Sequence, residues 1–366
     1  MANERQTAIP CTLMRGGTSK GPFFLARDLP ADEKTRDRVL LAAMGSPDPR
    51  QIDGVGGAEP LTSKVAIVSR SSRPDVDVDY LFAQVSIDKP LVDVSPNCGN
   101  MLAGVGPFAI ERGLIAARDP QTRVSIYMVN TGNLAVATIQ TPGGVVRYDG
   151  ATAIAGVPGT AAPIAVDFMD TAGSVCESLL PTGHARDTVD GIDVTCIDNG
   201  MPVVVIPASA FGKTGYESPK DLDADAGFKA RLEKLRLAAG PLMGLGDVRD
   251  KVVPKMTLIA PPRAGGHVCT RTFIPIRCHA AIGVLGAVSV ATACVLPGSV
   301  AEGIAVKPQG SPILMSVEHP SGEFTVTLEV AGAGADFKVG RSGILRTARA
   351  LFEGHILVPR SVWAGR

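Results

Sequence analysis

No charge of one sign dominates this 366-residue sequence, in which 36 Lys and Arg balance 36 Asp and Glu. A nucleic-acid-binding surface normally shows as a basic excess, so the neutral balance argues against that class. Aromatic residues are only 4% of the chain, too few for a series of base-stacking platforms. Histidine is scarce, at five, and no two of the seven cysteines stand two to four residues apart, so no zinc or other metal site is expected. An odd, scattered set from Cys11 to Cys294 is not a disulfide framework and points to a reducing, cytoplasmic compartment. The opening Met1-Ala-Asn-Glu-Arg-Gln lacks the apolar core of a secretory signal. Long hydrophobic runs are missing as well. The longest uncharged one, residues 280–296, carries Gly283 and Gly286 and has no basic flank, so it reads as a buried helix and not a membrane span.

What is present is a chain rich in turns, with 41 Gly and 28 Pro, and apolar enough, at 45%, to build a full core. Its length suggests two domains, or one large two-lobed one. The polar, Gly-containing stretch 182–190 places the boundary so that 1–185 and 186–346 form the two, with 347–366 returning to the first. Strand-like runs dominate: 62–69, 79–87, 124–128 and 134–140 in the first half, and 194–206, 255–260, 313–317 and 324–330 in the second. Gly143-Gly144 reads as a hairpin turn between two runs. Residues 225–239 form an amphipathic helix with Phe228, Leu232 and Leu235 on one stripe, stopped by Gly240-Pro241. Residues 98–112 and 278–295 are apolar nearly all round, as in helices buried on every side. Each opens on a Cys, with an aliphatic residue four positions later and a Gly eight later, which suggests two lobes of similar plan.

Several constellations could carry chemistry. The run Met14-Arg-Gly-Gly-Thr-Ser-Lys-Gly21 is a glycine-rich loop that either holds an anion on its backbone N–H groups and the Thr18 and Ser19 hydroxyls, or is a tight turn with a solvated Lys20. Asn97-Cys98-Gly99-Asn100 opens the first buried helix, where the positive dipole end favours a thiolate or a carboxylate; the alternative is an inert capped thiol. Lys64 lies in a run whose two faces both look buried, so it is either a desolvated general base or an ammonium snorkelling to the sheet edge. Arg271 and Arg277 precede the second apolar helix and could clamp carboxylates, or be ordinary surface arginines. Cys278-His279 opens that helix, with His279 a proton donor or a helix cap.

Taken together, MRGGTSKG, QIDGVGGAEPLTSKVAIV, NCGN, IDNGMP, CHAAIG and HPSGEF, in this order, resemble the PrpF-like branch of the diaminopimelate-epimerase fold superfamily over nearly the whole chain. The resemblance implies an α+β fold of two pseudo-symmetric lobes, each a β-barrel-like sheet around a central buried helix, with the active site in the cleft between them. It implies an isomerase that needs no cofactor and moves a proton along an allylic or keto–enol system. The substrate would be a small tricarboxylate, oxalomesaconate first and methylaconitate second. Lys64 would be the base and Cys98 the second catalytic group. Thr18, Ser19, Gly99, Asn100, Met201, Arg271, Arg277, Cys278, His279 and Ser321 would line the substrate site. The fold also leaves room for a homodimer. Cys278 lacks the following glycine of the two-cysteine epimerases, which speaks against that mechanism here. The remaining alternative is a non-catalytic small-acid binding protein.

Overall fold

The computed structural model describes residues 5–95, 97–169, 171–332 and 337–365. The chain forms two compact units, Met1–Asp167 with Leu345–Arg366, and Phe168–Ile344. The division falls at Asp167, upstream of the polar stretch 182–190.

Unit 1 contains β1 (Gln6–Gly16), β2 (Ser19–Leu25), α1 (Glu33–Met44), β3 (Lys64–Arg70), β4 (Val78–Val85), β5 (Val92–Asp93), α2 (Gly99–Glu111), β6 (Gln121–Met128), β7 (Asn133–Gln140) and most of β8 (Ile164–Phe168). Unit 2 contains β9 (Asp187–Val189), β10 (Ile192–Asp198), β11 (Pro202–Pro207), α3 (Pro219–Ala224), α4 (Ala226–Leu242), β12 (Lys255–Ala260), β13 (Val268–Phe273), α5 (Val284–Val295), β14 (Ile313–His319), β15 (Gly322–Ala331) and most of β16 (Lys338–Arg346). The last strand, β17 (Ala348–Pro359), pairs with β1.

The two units repeat one plan. In unit 1 the order is β17-β1-β2-β3-β4-β6-β7, antiparallel except for the parallel pairs β2–β3 and β4–β6. In unit 2 the order β9-β10-β11-β12-β13-β14-β15 has parallel pairs at the same two places, β11–β12 and β13–β14. A parallel pair needs a crossover. Helices α1 and α2 make the two crossovers in unit 1, and α4 and α5 make them in unit 2.

The apolar character of α2 explains its place. Nine consecutive residues, Met101 to Ala109, are buried, and the helix touches all seven strands of that order. A helix without a polar face has no stable position except inside a wrapped sheet. The outer face of the same sheet packs on α1 through Val39, Leu40, Ala43 and Met44 against Ile9, Val65 and Ile67. In unit 2, α5 touches β10, β11, β14 and β15, while α4 covers the other face through Phe228, Leu232 and Leu235. Among the described residues no helix is long and apolar enough to cross a membrane.

Several local expectations need correction. The run 194–206 is two strands, because Asn199-Gly200 turns the chain with Gly200 at φ +91°. Gly143-Gly144 ends a short 3-10 turn and joins no hairpin. Helix α4 runs through Gly240-Pro241 to Leu242. Helix α1 was not anticipated, although Asp32 accepts a hydrogen bond from the Thr35 N–H at its start and Gly45 closes it at φ +76°. These are ordinary start and stop signals.

The second apolar helix begins at Val284, not at Cys278. Residues 273–279 fold back on themselves instead. Cys278 bridges Phe273, its N–H donates to Asp223 Oδ1 (2.8 Å), and the His279 N–H donates to the Thr272 carbonyl (2.8 Å).

Phe108 is fully buried in α2, its ring centroid 5.6 Å from that of Phe23 on β2. Phe108→Ala empties that contact and should cost about 3–5 kcal/mol of stability. A lowered urea midpoint with an unchanged slope is the expected reading.

Candidate active site

The N-terminus of α2 is where unit 1 gathers chemistry. Cys98 is the N-cap in extended conformation, and its side chain caps no backbone N–H. The first-turn N–H groups of Gly99, Asn100 and Met101 therefore have no side-chain cap and carry the positive end of the helix dipole. Tyr80, fully buried on β4, donates its hydroxyl hydrogen bond to the Cys98 carbonyl (3.3 Å) and braces the cap. Burial first, and the neighbouring thiol second, push the Tyr80 phenol well above its ordinary range, so it stays a donor.

Lys64 is the first residue of β3, at the strand's end and not in its buried middle. It is half-buried, whereas Val65 and Ala66 are fully enclosed. Val65 and Ile67 face the α1 side, so strand alternation turns Lys64 to the α2 side. There its Nζ lies 3.6 Å from Cys98 Sγ and 5.1 Å from the centre of the Phe82 ring. The strand can sit this close to β2 only because Gly21 has no side chain: a Cβ there would lie 1.7 Å from the Lys64 carbonyl oxygen.

The β1–β2 turn reaches the same helix end. Gly17 takes φ +51°, and a Cβ on it would lie 2.1 Å from Asn100 Oδ1. Asn100 Nδ2 donates to Thr18 Oγ1 (3.1 Å), and the Thr18 N–H donates to Asn100 Oδ1 (3.4 Å). Ser19 is 1% exposed and its hydroxyl has no hydrogen-bond partner among the described residues. A buried hydroxyl left open in this way is unusual and suits a ligand oxygen. Unit 1 thus brings together Thr18, Lys64, Cys98, Gly99 and Asn100, with Ser19 next to Thr18 on the turn. Tyr80 and Phe82 were missed from the sequence, since an aromatic in an alternating strand reads only as core.

Unit 2 holds the other candidates. Arg271 is 7% exposed on β13; its Nε donates to the Glu217 carbonyl (2.7 Å) and its Nη1 to the Thr270 carbonyl (2.8 Å). These bonds, with a longer one from Nη1 to Cys269 Sγ (3.5 Å), engage Nε and Nη1. Arg277 is 87% exposed, with Asp223 4.0 Å away. The Cys278 thiol is pushed up to about 11, mainly by burial and secondly by Asp223. His279 Nδ1 accepts from the Ala281 N–H (2.9 Å). Met201 follows the Asn199-Gly200 turn and its carbonyl accepts from Ser289 (2.7 Å). Ser321 is exposed in the β14–β15 turn beside His319. Among the described residues no group of three or more His, Cys, Asp or Glu side chains is arranged to hold a metal.

The repeated sheet-and-helix plan, with a cysteine at the start of the buried helix, defines an α+β protein of the diaminopimelate-epimerase type. A crystal structure of a methylitaconate Δ-isomerase superposes with a TM-score of 0.85 at 35% identity, covering 98% of this chain and 97% of that one. A hydroxyproline epimerase of Agrobacterium vitis shares the fold alone, at TM-score 0.51 and 14% identity over 96% of this chain and 92% of that one. Residues 6–359 match the PrpF protein family, and the chain belongs to it. It is 62% identical over 351 residues to the (4E)-oxalomesaconate Δ-isomerase of a Novosphingobium strain, covering 96% of this chain and 98% of that one. It is 58% identical over 360 residues to the 4-oxalomesaconate tautomerase of Pseudomonas putida, covering 98% and 99%.

The raised Cys278 thiol makes a poor nucleophile or base near neutral pH. Cys278→Ala should therefore lower turnover by less than about tenfold, below the range of a lost acid–base group. Alkylation of the folded protein at pH 8, read by peptide mass spectrometry, should leave Cys278 largely unmodified.

Proposed function

We propose that this protein is a 4-oxalomesaconate isomerase that moves a proton along the keto–enol or allylic system of its substrate without a cofactor. Near-complete alignment with two relatives of that activity, at 62% and 58% identity, supports the substrate. The 3.6 Å approach of Lys64 and Cys98 at an uncapped helix N-terminus carries the chemistry.

A hydrogen on carbon between a carbonyl and a double bond is acidic because the electron pair left behind spreads over both. Lys64 takes that proton as the base. The pair delocalises into a dienolate, and Cys98 returns a proton at the far end, so the net change is a shifted double bond. Proton exchange between the adjacent amine and sulfur restores the starting state. The open N–H groups of Gly99, Asn100 and Met101 stabilise the charge on the intermediate. Thr18, Ser19, Gly99 and Asn100 position one end of the substrate. In unit 2, Met201, Cys278, His279 and Ser321 are proposed as substrate-binding residues, with Arg271 and the exposed Arg277 as cations for carboxylates.

Purified protein mixed with oxalomesaconate, or with 2-methylaconitate, should change ultraviolet absorbance rapidly only with the first. Faster turnover of 2-methylaconitate would reassign the substrate. Lys64→Met keeps the apolar stem and should lower kcat by at least about 10²-fold in a folded protein. A folded variant with near-normal turnover would remove Lys64 from the mechanism.

Arg277→Gln should raise KM several-fold with kcat nearly unchanged, the mark of a contact equal in ground and transition states. An unchanged KM would leave Arg277 outside the site.

A further inference from the structure

The last strand leaves one edge of the unit 1 sheet open. Among the described residues β17 forms a ladder with β1 alone, and no other backbone hydrogen bond reaches residues 348–358. In an antiparallel pair every second residue turns its N–H and C=O away from the partner strand, so β17 presents a row of these groups on its far side. Such an edge is a template for a further strand, and chains that do not use it protect it with lysines, prolines or a covering segment. The stretch 350–358 holds no lysine and no proline. Instead Leu351, Phe352 and Leu357 are each about half exposed.

This stretch matches itself when reversed. Leu351-Phe352-Glu353-Gly354-His355-Ile356-Leu357 has two apolar residues at each end, and an acid and a histidine on either side of Gly354. Laid antiparallel on a second copy about a two-fold axis at Gly354, Leu351 falls opposite Leu357, Phe352 opposite Ile356 and Glu353 opposite His355, each pair twice. Directly opposite residues share a face and interact, and unlike charges placed so are favourable. The Glu353 side chain is 72% exposed although its carboxylate accepts from Arg112, so it can take a second donor. His355 is exposed and has no hydrogen-bond or ion-pair partner among the described residues. A Cβ on Gly354 would lie 2.6 Å from the Phe352 ring, so the glycine lets that ring lie along the strand toward the axis. Moving the axis to Glu353 would set that acid against itself, which selects the register centred on Gly354.

We propose that β17 is the surface through which two copies of this chain associate, edge to edge about a two-fold axis at Gly354, into one continuous sheet. The contact uses the same patch on both copies and consumes both open edges, so the assembly stops at two. It does not depend on the proposed reaction.

The test is the mass of the full chain by light scattering at micromolar concentration, with the dimer Kd from sedimentation equilibrium. The expected mass is twice that of one chain. His355→Glu sets acid against acid at both pairs and should raise the dimer Kd about tenfold or more, with an unchanged circular dichroism spectrum. The swapped variant Glu353→His/His355→Glu restores the opposite pairs and should recover most of that loss. Leu357→Asp, at an exposed position, should also weaken the dimer. A single-chain mass for the unaltered protein overturns the proposal. So does a dimer whose Kd neither His355→Glu nor Leu357→Asp moves, since its interface lies elsewhere. Failure of the swapped variant to recover association overturns the register, and a mass that keeps growing with concentration overturns the closed pair.

Discussion

An apolar helix that must be enclosed on all sides is the constraint on which unit 1 depends. Once α2 is surrounded by seven strands, its axis is set, and its N-terminus can emerge only at one end of the wrapped sheet. That end collects the positive dipole, the uncapped N–H groups, the Cys98 thiol and the strand end that carries Lys64. The reactive pair is a consequence of packing: β3 is held against β2 by the missing side chain of Gly21, and its first residue is thereby delivered to the cap of α2.

The repeat shows what has been kept and what has changed. Lys255 opens β12 as Lys64 opens β3, and burial followed by the nearby Arg236 brings its ammonium down to about 8. The helix caps differ more. Cys98 is the N-cap of α2, whereas Gly283 caps α5 and Cys278 is diverted into a bridge with Phe273. One plan has thus been asymmetrically equipped: unit 1 sets an amine against a thiol, and unit 2 places its cysteine in a buried fold-back with a raised thiol.

Much of the architecture was legible in the sequence because it rests on local patterns. The all-apolar stretch at 98–112 announced an enclosed helix, the alternating runs announced strands, and the motif set announced the isomerase fold. The misreadings have physical causes. An apolar run of small residues before Val284 looks helical until Asp223, distant in sequence, takes the Cys278 N–H. No local pattern shows, either, that the Glu217 and Thr270 carbonyls take the Nε and Nη1 of Arg271.

The sequence by itself therefore determined which segments are strands or enclosed helices, and which residue types could do proton chemistry. Hydrophobic period and capping act within a few residues of one another. Tertiary structure alone decided which of those residues meet. Lys64 touches Cys98, Tyr80 braces its carbonyl, and the last strand lies against the first because sheet pairing brings together residues far apart in the chain. Register, which sends adjacent side chains to opposite faces, then placed the Lys64 amine on the side of the thiol.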